Sequence, residues 1–317
     1  MIRKTLFPIL ALVGLVAVCV GDETKMPSLL LDPVDASRDR TVPVKVYLPR
    51  GDGAHPVVIF SHGLGGSREN SAYLGEHWAQ NGYAAVFVQH PGSDESVWKS
   101  AETGERMAEL KKAASLESAL DRFADIPFVI DRLEEWNVSD GHALHRRLDL
   151  GHIGLCGHSF GAVTTQALMG QRFPGSREFH DSRIDAFFLM SPSIPARFPP
   201  DRAFGGIKAP VLCMTGTEDG SPIQPDLIPE SRREVYRSLP PGDKYQLVFD
   251  GGTHSAFSDT PFRDEGRLAH HHPAIQRIST RFWDAYLKDD AGAKAWLKSE
   301  RVGTDAKLAD GDTWEWK

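Results

Sequence analysis

The sequence predicts an α/β fold, with a doubly wound, mostly parallel sheet and helices on both of its faces. Continuous apolar runs, of the kind that form strands buried on both faces, recur along the chain and are mostly separated by helical stretches. This alternation implies right-handed βαβ crossovers, which build a parallel sheet. The length of 317 residues, with 41% hydrophobic and 25% charged residues, suits one large domain. We therefore expect residues 22–317 to form a single domain.

Each strand and helix follows from its local pattern. The segment 43–48 alternates like an early strand with one wet face, whereas 56–60 is a continuous apolar run expected to be a central strand. Further strands are expected at 83–88, 153–156, 186–190, 210–214 and 245–249. Helices are expected at 69–81, 116–136, from 160 onwards, 228–239 and 274–288. Pro127 should kink or break the second helix, because proline removes a helical hydrogen bond.

Two segments lie between predicted elements and are expected to shape a ligand pocket. Residues 91–113 and 191–208 each follow the end of a strand and are rich in Gly, Ser, Pro and charge. Open α/β sheets bind ligands at the carboxyl ends of their strands. We therefore expect both segments to cross this edge of the sheet.

The N-terminus has the pattern of a secretory signal peptide. Arg3 and Lys4 precede the apolar run 6–20, and small residues stand just before the polar residues 22–25. We expect residues 1–21 to be removed and the protein to be periplasmic or extracellular, with no stable membrane insertion afterwards. The apolar run is short for a membrane span, but an uncleaved anchor and a lipid anchor on Cys19 remain alternatives.

Several classes of partner and site are not expected. The formal net charge of −7 offers no basic stripe, which disfavours a nucleic-acid partner. Cys156 and Cys213 lie in strands that another strand should separate by about 10 Å, too far for a disulfide, so both should be buried free thiols. The run His270, His271 and His272 superficially suggests a metal. However, three consecutive histidines cannot all face one ion, and no metal is expected.

The segment Gly-His-Ser-Phe-Gly at 157–161 carries the strongest chemical signal. It follows the apolar run 153–156 and precedes a helix-compatible stretch, 162–169. This context predicts a nucleophile elbow, a strained turn from strand to helix that exposes a serine above the sheet. A G-x-S-x-G pattern alone occurs by chance in many proteins. A catalytic role for its serine therefore depends on whether the chain also supplies a base and an acid. Ser159 is the candidate nucleophile.

The partners that a serine nucleophile needs stand after later predicted strands. Serine requires a base within hydrogen-bonding reach and a carboxylate that orients the base. Asp219 follows the strand at 210–214, and we assign it as the acid because Asp before Gly suits a tight turn; Glu218 is the competitor. His254 follows the strand at 245–249 and a pair of glycines, and of 13 histidines it alone has that position. Taken singly, His254 would be a solvent-exposed loop residue.

An attacked carbonyl becomes an oxyanion, which requires backbone N–H donors. We expect these donors to be the amide of Phe160 and the amide of Leu64, in the loop after the central strand. The side chains of Leu64 and Phe160 should also line the acyl pocket, and we assign Phe257 to substrate contact as well. His62 is expected to be a structural loop residue rather than a second base, and His158 to pack beneath the elbow.

These motifs together resemble a known family. Ser-His-Gly-Leu-Gly-Gly at 61–66, the segment 157–161 and Gly-Thr-His at 252–254 are similar to the secreted bacterial α/β hydrolases labelled predicted dienelactone hydrolases. That group is related to platelet-activating-factor acetylhydrolases and to cutinase-like polyester hydrolases. The resemblance runs from Val42 to about Leu297. It implies the α/β-hydrolase fold and cofactor-free serine carboxylesterase chemistry, with the nucleophile, base and oxyanion donors at the positions already given.

The sequence departs from this group in two ways. Dienelactone hydrolases use a cysteine nucleophile, whereas this chain has Ser159. The acetylhydrolases take their acid from the strand after the elbow helix, but the corresponding residues 189–192 lack a carboxylate, which favours Asp219. We predict an exported serine hydrolase of small-molecule or polymeric carboxylic esters. An amidase, a peptidase or a polyester hydrolase of the same fold remains an alternative, as does a non-catalytic binding protein, and no oligomeric state is predicted.

Overall fold

The computed structural model describes residues 25–175, 178–195, 198–221, 223–224, 227–259 and 266–317. The predicted signal peptide, residues 1–21, lies outside the described residues, and so does Cys19. Within the described ranges, no helix is both long enough and apolar enough to cross a bilayer.

The strands form a large central sheet in which most neighbours run parallel. In chain order they are β1 Ser28–Leu31, β2 Val34–Asp35, β3 Arg40–Thr41, β4 Val44–Tyr47, β5 His55–Ser61, β6 Ala84–Val88, β7 Leu148–His158, β8 Ala186–Met190, β9 Val211–Glu218, β10 Lys244–Thr253 and β11 Thr313–Trp316. Among the described residues, nine strands form this sheet in the order β1-β4-β6-β5-β7-β8-β9-β10-β11, and β2 pairs with β3 separately. The strands from β6 to β10 in that order are parallel, whereas β1, β4 and β11 pair antiparallel. The predicted fold class is confirmed.

Among the described residues there are ten α-helices, of which five lie close to the positions expected from the sequence. In chain order they are α1 Ala72–Gln80, α2 Ser96–Lys99, α3 Arg106–Ala113, α4 Leu116–Val138, α5 Phe160–Leu168, α6 Pro200–Phe204, α7 Arg233–Ser238, α8 His271–Leu287, α9 Ala291–Leu297 and α10 Arg301–Asp305. Two short 3-10 turns, Pro229–Arg232 and His254–Phe257, complete the set for the described part of the chain. The segments expected to cross the sheet edge therefore contain short helices, α2 and α3 in one and α6 in the other.

Helix α4 continues through Pro127, so of the kink or break expected there the break does not occur. Its buried side includes Phe123, Ile126 and Ile130, and the side chain of Ser115 caps its N-terminus by accepting a hydrogen bond from Ser118 N. A proline inside a helix costs about 3 kcal/mol. Burial of several large apolar side chains exceeds that cost at about 1.5–3 kcal/mol each, so tertiary packing carries the helix through the proline.

Helices cover both faces of the sheet and enclose two apolar cores. One core contains buried residues of α4, α5, α6 and α7, and the other contains buried residues of α1, α8, α9 and α10. Cys213 belongs to the first core and Cys156 to the second, with β8 between their strands. Both cysteines are buried and free, as predicted. Burial raises the pKa of both thiols, that of Cys213 to about 12.

The loop after β5 and the segment after β6 are tied together. Gly65 N donates to Ser93 O over 2.9 Å, Glu95 N donates to Gly66 O over 2.8 Å, and Gly66 forms a parallel bridge with Asp94. The segment that begins at 91 therefore rests on the loop 61–66 at the carboxyl edge of the sheet.

Candidate active site

Ser159 lies at the sharp turn between β7 and α5. Its backbone has φ 57° and ψ −114°, a conformation that costs a non-glycine residue about 1–3 kcal/mol. A Cβ atom on Gly157 would overlap the Gly161 carbonyl group, and a Cβ atom on Gly161 would overlap the Ser61 carbonyl group. Close backbone packing thus requires both glycines. The turn has the strained geometry of a nucleophile elbow.

The structure brings Ser159, His254 and Asp219 into one hydrogen-bonded chain. His254 Nε2 lies 2.8 Å from Ser159 Oγ, and His254 Nδ1 lies 2.7 Å from Asp219 Oδ1. The side chain of His254 is 12% exposed and that of Asp219 is fully buried. A base that contacts the serine and is oriented by a carboxylate is the arrangement that activates a serine hydroxyl.

A register shift in β10 helps to place His254. Strand β10 pairs with β9 in regular register as far as Phe249, and the register changes between Phe249 and Thr253. Gly251 has φ +64°, and a Cβ atom on Gly216 would overlap the Gly252 carbonyl group. The bulge therefore depends on residues without side chains, as the glycine pair in the sequence suggested. It turns the chain into the 3-10 helix that begins at His254.

Asp219, and not its neighbour Glu218, points into the site. Glu218 is exposed, whereas Asp219 Oδ2 accepts a hydrogen bond from Thr215 Oγ1 over 2.8 Å. Burial raises the pKa of Asp219, but the hydrogen bond from His254 and the charge of Arg232 outweigh it and leave the pKa below its ordinary value. Asp219 is therefore an anion that can accept a hydrogen bond from His254 Nδ1.

Arg232 is a residue of this site that the sequence analysis missed. Its side chain is 2% exposed and its Nε lies 3.0 Å from Asp219 Oδ1. The guanidinium also donates to backbone oxygens of Asp219, Ser191 and Pro192 at 2.6, 2.9 and 3.1 Å. Its Nη2 lies 3.2 Å from His254 Nδ1. No local pattern in the sequence marks Arg232, since it stands in a short turn among other charged residues.

The loop 61–66 runs beside the elbow. A Cβ atom on Gly63 would lie 3.4 Å from Ser159 Cβ, which shows how closely the loop approaches the serine. The amide nitrogens of Leu64 and Phe160 donate no hydrogen bond to another residue that the structure describes. Both side chains are half-buried. The two amides are thus available to a ligand next to Ser159.

Arg122, on α4, supports the loop 61–66 through hydrogen bonds to its backbone. It is fully buried, and it donates from Nη1 to His62 O over 2.7 Å and from Nε to Ser93 Oγ over 2.8 Å. Its guanidinium carbon lies 4.4 Å from the centre of the Phe160 ring. A weaker contact of 3.5 Å reaches Gly63 O, the carbonyl of the peptide that carries the Leu64 amide. Arg122 therefore contacts Gly63, whose carbonyl belongs to the same peptide group as the Leu64 amide, and Phe160, which carries the second available amide.

The sequence does contain a signal for Arg122. The apolar face of α4 includes Ala119, Phe123 and Ile126, and Arg122 falls on the same face at helical spacing. An arginine in an apolar stripe requires buried acceptors. Such a position therefore indicates a polar partner under the helix.

The loop histidine His62 has a structural place, as predicted. Its Nδ1 lies 2.6 Å from Gly63 O, and its Nε2 accepts from His90 N over 3.1 Å. His90 in turn contacts Ser61 Oγ at 2.9 Å and Asp125 Oδ2 at 2.9 Å. Burial lowers the pKa of His62 well below its ordinary value. His62 is a neutral support of the loop and has no contact with Ser159 Oγ.

His158 and Phe257 lie beside His254. The ring centre of His158 is 4.8 Å from that of His254 and 5.8 Å from that of Phe257. The expectation that Phe257 contacts the substrate is not met by this geometry. Its side chain is fully buried and packs in the core with Phe249, so it supports the histidines and presents no surface to a ligand.

Trp98, on α2, extends over the loop. Its Nε1 donates to Gly65 O over 2.7 Å, and a Cβ atom on Gly65 would meet Leu110 on α3. The segment 91–113 therefore contributes half-buried apolar surface next to Leu64, in keeping with its predicted position at the sheet edge.

The three consecutive histidines have three separate environments. His270 Nε2 contacts Asp312 Oδ2 at 2.9 Å, the ring of His271 packs 4.3 Å from that of Phe249, and His272 stacks on Tyr73 at 3.7 Å. In the part of the chain that the structure describes, no group of three or more His, Cys, Asp or Glu side chains could hold a metal ion.

Comparisons with known proteins agree with this architecture. Residues 56–211 match the family described as alpha/beta hydrolase fold. A curated relative, "Putative esterase YitV" of Bacillus subtilis (strain 168), is 34% identical over 115 residues, which are 35% of this chain and 38% of that protein. The matched part thus spans well under half of the relative. A solved ferulic acid esterase from Streptomyces cinnamoneus shares the fold, with a TM-score of 0.60 and 21% identity over 85% of this chain and 92% of that chain.

Proposed function

We propose that this chain, which has the α/β-hydrolase fold, is a serine hydrolase of carboxylic esters that works through an acyl-enzyme. One observation carries the proposal: the continuous contact from Asp219 through His254 to Ser159, on a strained elbow beside two available backbone amides. The esterase names of the two similar proteins agree with the same reaction class.

In the first half of the proposed reaction, the Ser159 hydroxyl oxygen attacks the ester carbonyl carbon and its proton passes to His254 Nε2. The carbonyl oxygen becomes an oxyanion, which the amides of Leu64 and Phe160 stabilise. Each such donor is worth about 3 kcal/mol in transition-state energy. When the tetrahedral intermediate collapses, the carbon–oxygen bond to the alcohol breaks and His254 gives its proton to the leaving oxygen.

The second half repeats these steps with water as the nucleophile. His254 Nε2 takes a proton from water, whose oxygen attacks the acyl carbon, and the same amides stabilise the new oxyanion. The bond from the acyl carbon to Ser159 Oγ then breaks, and the proton on His254 returns to the serine. Asp219 stays ionised throughout and stabilises the imidazolium that forms in each half.

We also propose that residues 1–21 act as a secretory signal and that the protein belongs to the secreted bacterial α/β hydrolases that its motifs resemble, those labelled predicted dienelactone hydrolases. The basic and apolar pattern of the N-terminus supports export. Mass spectrometry of the protein recovered from periplasm or medium tests this, because a signal peptide leaves a mature chain that begins near residue 22. A full-length chain held in the membrane fraction would contradict it.

The test of the reaction is a series of p-nitrophenyl esters from acetate to palmitate, assayed on the mature protein and on Ser159→Ala. We expect hydrolysis that disappears in the variant, and a fluorophosphonate label that attaches to Ser159 alone. Ser182→Ala, a change of an exposed serine in the turn before β8, is the matched control and should keep full activity. Equal turnover in wild type and Ser159→Ala would refute the proposal, whereas cleavage of p-nitroanilides in preference to esters would point to an amidase.

A further inference from the structure

The loop after β5 contains a tight turn whose geometry decides where one backbone amide points. Gly66 N donates to Gly63 O over 3.1 Å, and Gly65, the third residue of this turn, has φ +72°, whereas Leu64, the second, has no positive φ. A positive φ at the third position alone is the type II form, which glycine adopts without strain. In a trans peptide the C=O and N–H bonds point in opposite directions. The Gly63 carbonyl is bound inside the turn, so the Leu64 N–H points outward.

The turn begins beside the serine of the site, so its orientation matters for the proposed reaction. A Cβ atom on Gly63 would lie 3.4 Å from Ser159 Cβ. The next residue is Leu64, whose amide is one of the two proposed oxyanion donors. Such a donor must lie within about 2.7–3.1 Å of the position that the oxyanion takes. A small displacement of the turn would therefore remove this amide from the oxyanion.

The segment after β6 holds the far end of the turn by three hydrogen bonds. Gly65 N donates to Ser93 O over 2.9 Å, and Glu95 N donates to Gly66 O over 2.8 Å. The third comes from a side chain, because Trp98 Nε1 donates to Gly65 O over 2.7 Å. Backbone contacts can survive a substitution, whereas this contact depends on the identity of one residue. Of the three, the hydrogen bond from Trp98 is thus the one that a side-chain change removes.

The indole of Trp98 is itself held in place. A Cβ atom on Gly65 would lie 3.0 Å from Trp98 Cδ1 and 2.7 Å from Leu110 Cδ2, so the ring packs directly on the turn. The guanidinium carbon of Arg106 lies 5.6 Å from the ring centre, and Lys99 Nζ lies 5.8 Å from it. Cations within about 6 Å of an indole ring are attracted to its face. The ring is therefore packed between the turn and helices α2 and α3, which fixes the direction of its N–H.

We propose that Trp98 is a positioning residue whose indole N–H holds the turn 63–66 in the orientation that presents the Leu64 amide to the substrate carbonyl oxygen. The inference rests on the proposed function, since it concerns an oxyanion donor of that reaction. Loss of the N–H leaves Gly65 O without this donor and frees the turn to move about its backbone contacts. The oxyanion forms only after attack, so the transition state should lose more stabilisation than the bound ester.

The experiment removes the indole N–H in two ways. Trp98→Phe keeps an aromatic ring, and benzothienylalanine incorporated at position 98 keeps the shape of the indole but has sulfur in place of N–H. Complete loss of one oxyanion donor lowers kcat by about 10²–10³-fold. Because the two backbone hydrogen bonds remain, we expect a smaller decrease with p-nitrophenyl acetate, about tenfold in kcat and less than about twofold in KM. Inhibition by a boronic acid, whose adduct places an oxygen at the oxyanion position, should weaken in parallel with kcat.

Trp314→Phe is the matched control. Trp314 is also half-buried, and its Nε1 donates to the backbone oxygen of Leu297 over 3.1 Å. It lies on β11, which β7, β8, β9 and β10 separate from β5, so its loss should leave kcat and inhibition unchanged. Wild-type kcat and inhibition in the benzothienylalanine protein would overturn the proposal whatever Trp98→Phe does. A loss confined to KM, or an equal loss of kcat in Trp314→Phe, would overturn it as well.

A second readout separates failure of this inference from failure of the proposed function. Hydrogen–deuterium exchange without substrate is measured on the proteolytic peptide that contains residues 61–66. In both Trp98 proteins the amides of Gly65 and Gly66 should exchange about fivefold faster than in wild type, because one hydrogen bond of the turn is lost. Trp314→Phe should leave this exchange unchanged. If wild type shows no Ser159-dependent hydrolysis, the proposed function fails, yet unchanged exchange still overturns the hold of Trp98 on the turn and faster exchange supports it.

Discussion

Replacement of Arg122 by methionine tests whether the buried guanidinium holds the oxyanion loop. Methionine keeps the apolar stem but removes the donors that reach His62 O, Ser93 Oγ and, more weakly, Gly63 O. Each buried acceptor left without a donor costs about 1–3 kcal/mol. Relief of the desolvated charge offsets part of this, so we expect the free energy of unfolding to fall by about 2–4 kcal/mol.

The same change should lower catalysis by more than it lowers binding. The contact with Gly63 O helps to orient the peptide that carries the Leu64 amide, and the guanidinium packs on Phe160, whose amide is the second donor. Complete loss of one oxyanion donor reduces kcat by about 10²–10³-fold. A loop that is displaced but present should lose less, and we expect a decrease in kcat of about tenfold with little change in KM.

The assay combines urea unfolding with kcat and KM on p-nitrophenyl acetate and with inhibition by a boronic acid, which forms a tetrahedral adduct on serine. Inhibition should weaken in parallel with kcat. Arg132→Met is the matched control, because Arg132 lies on the same helix and its guanidinium also lies over a ring, that of Phe128, at 5.5 Å. A variant Arg122→Met with wild-type kcat and wild-type inhibition would refute this account of the loop.

Three further outcomes follow from the geometry. Asp219→Asn should lower kcat by about 10⁴-fold, because the amide no longer enforces the His254 tautomer with the proton on Nδ1. The control Glu218→Gln, at the exposed neighbour, should leave kcat unchanged. Steady-state kinetics measures both, and equal losses in the two variants would contradict the assignment of Asp219 as the acid. Gly161→Ala should lower the free energy of unfolding by about 3 kcal/mol, because the added Cβ overlaps the Ser61 carbonyl group. Urea unfolding should show no comparable loss for the control Gly104→Ala, whose added Cβ lies in open space. Burial lowers the pKa of His90 to about 4. The folded pKa thus lies below the unfolded value near 6.5. The contribution of the neutral His90 to the free energy of unfolding should therefore be complete above pH 6.5 and fall by about 3 kcal/mol as the pH drops toward 4. Urea unfolding at pH 7 and 4.5 measures this fall, which should be smaller in His90→Asn.

The site residues that the sequence predicted are those marked by a local sequence pattern. Ser159 stands in a motif whose glycines have a steric reason, and Asp219 and His254 each follow a recognisable strand. Because parallel strands end at one edge of a sheet, three strand ends are enough to place these residues together. The spacing along the chain carried no information about the distances, which depend on the packed sheet.

The parts that sequence reasoning missed depend on contacts between distant segments. Arg232 meets its partners across the chain ends after β8 and β9, and nothing near it in sequence marks that place. Phe257 was expected in the pocket because it is apolar and close to His254, but one turn of 3-10 helix directs it into the core. Of the kink or break expected at Pro127, the break is absent for the same reason, since packing on the sheet outweighed a local preference.

The register shift between Phe249 and Thr253 has a consequence for changes in chain length. Side chains of a strand alternate between the two faces of the sheet, and β10 is buried on both faces from Lys244 to Phe249. Inserting or deleting one residue in this stretch would therefore move side chains such as Tyr245 and Leu247 out of the core in which they pack. In segment 91–113, Ser93, Glu95 and Trp98 hold the loop 61–66, whereas Gly104 lies in open space. An insertion beside Gly104 should therefore be tolerated and one in β10 before Phe249 rejected, which makes the neighbourhood of Gly104 the natural place for length variation in engineered libraries.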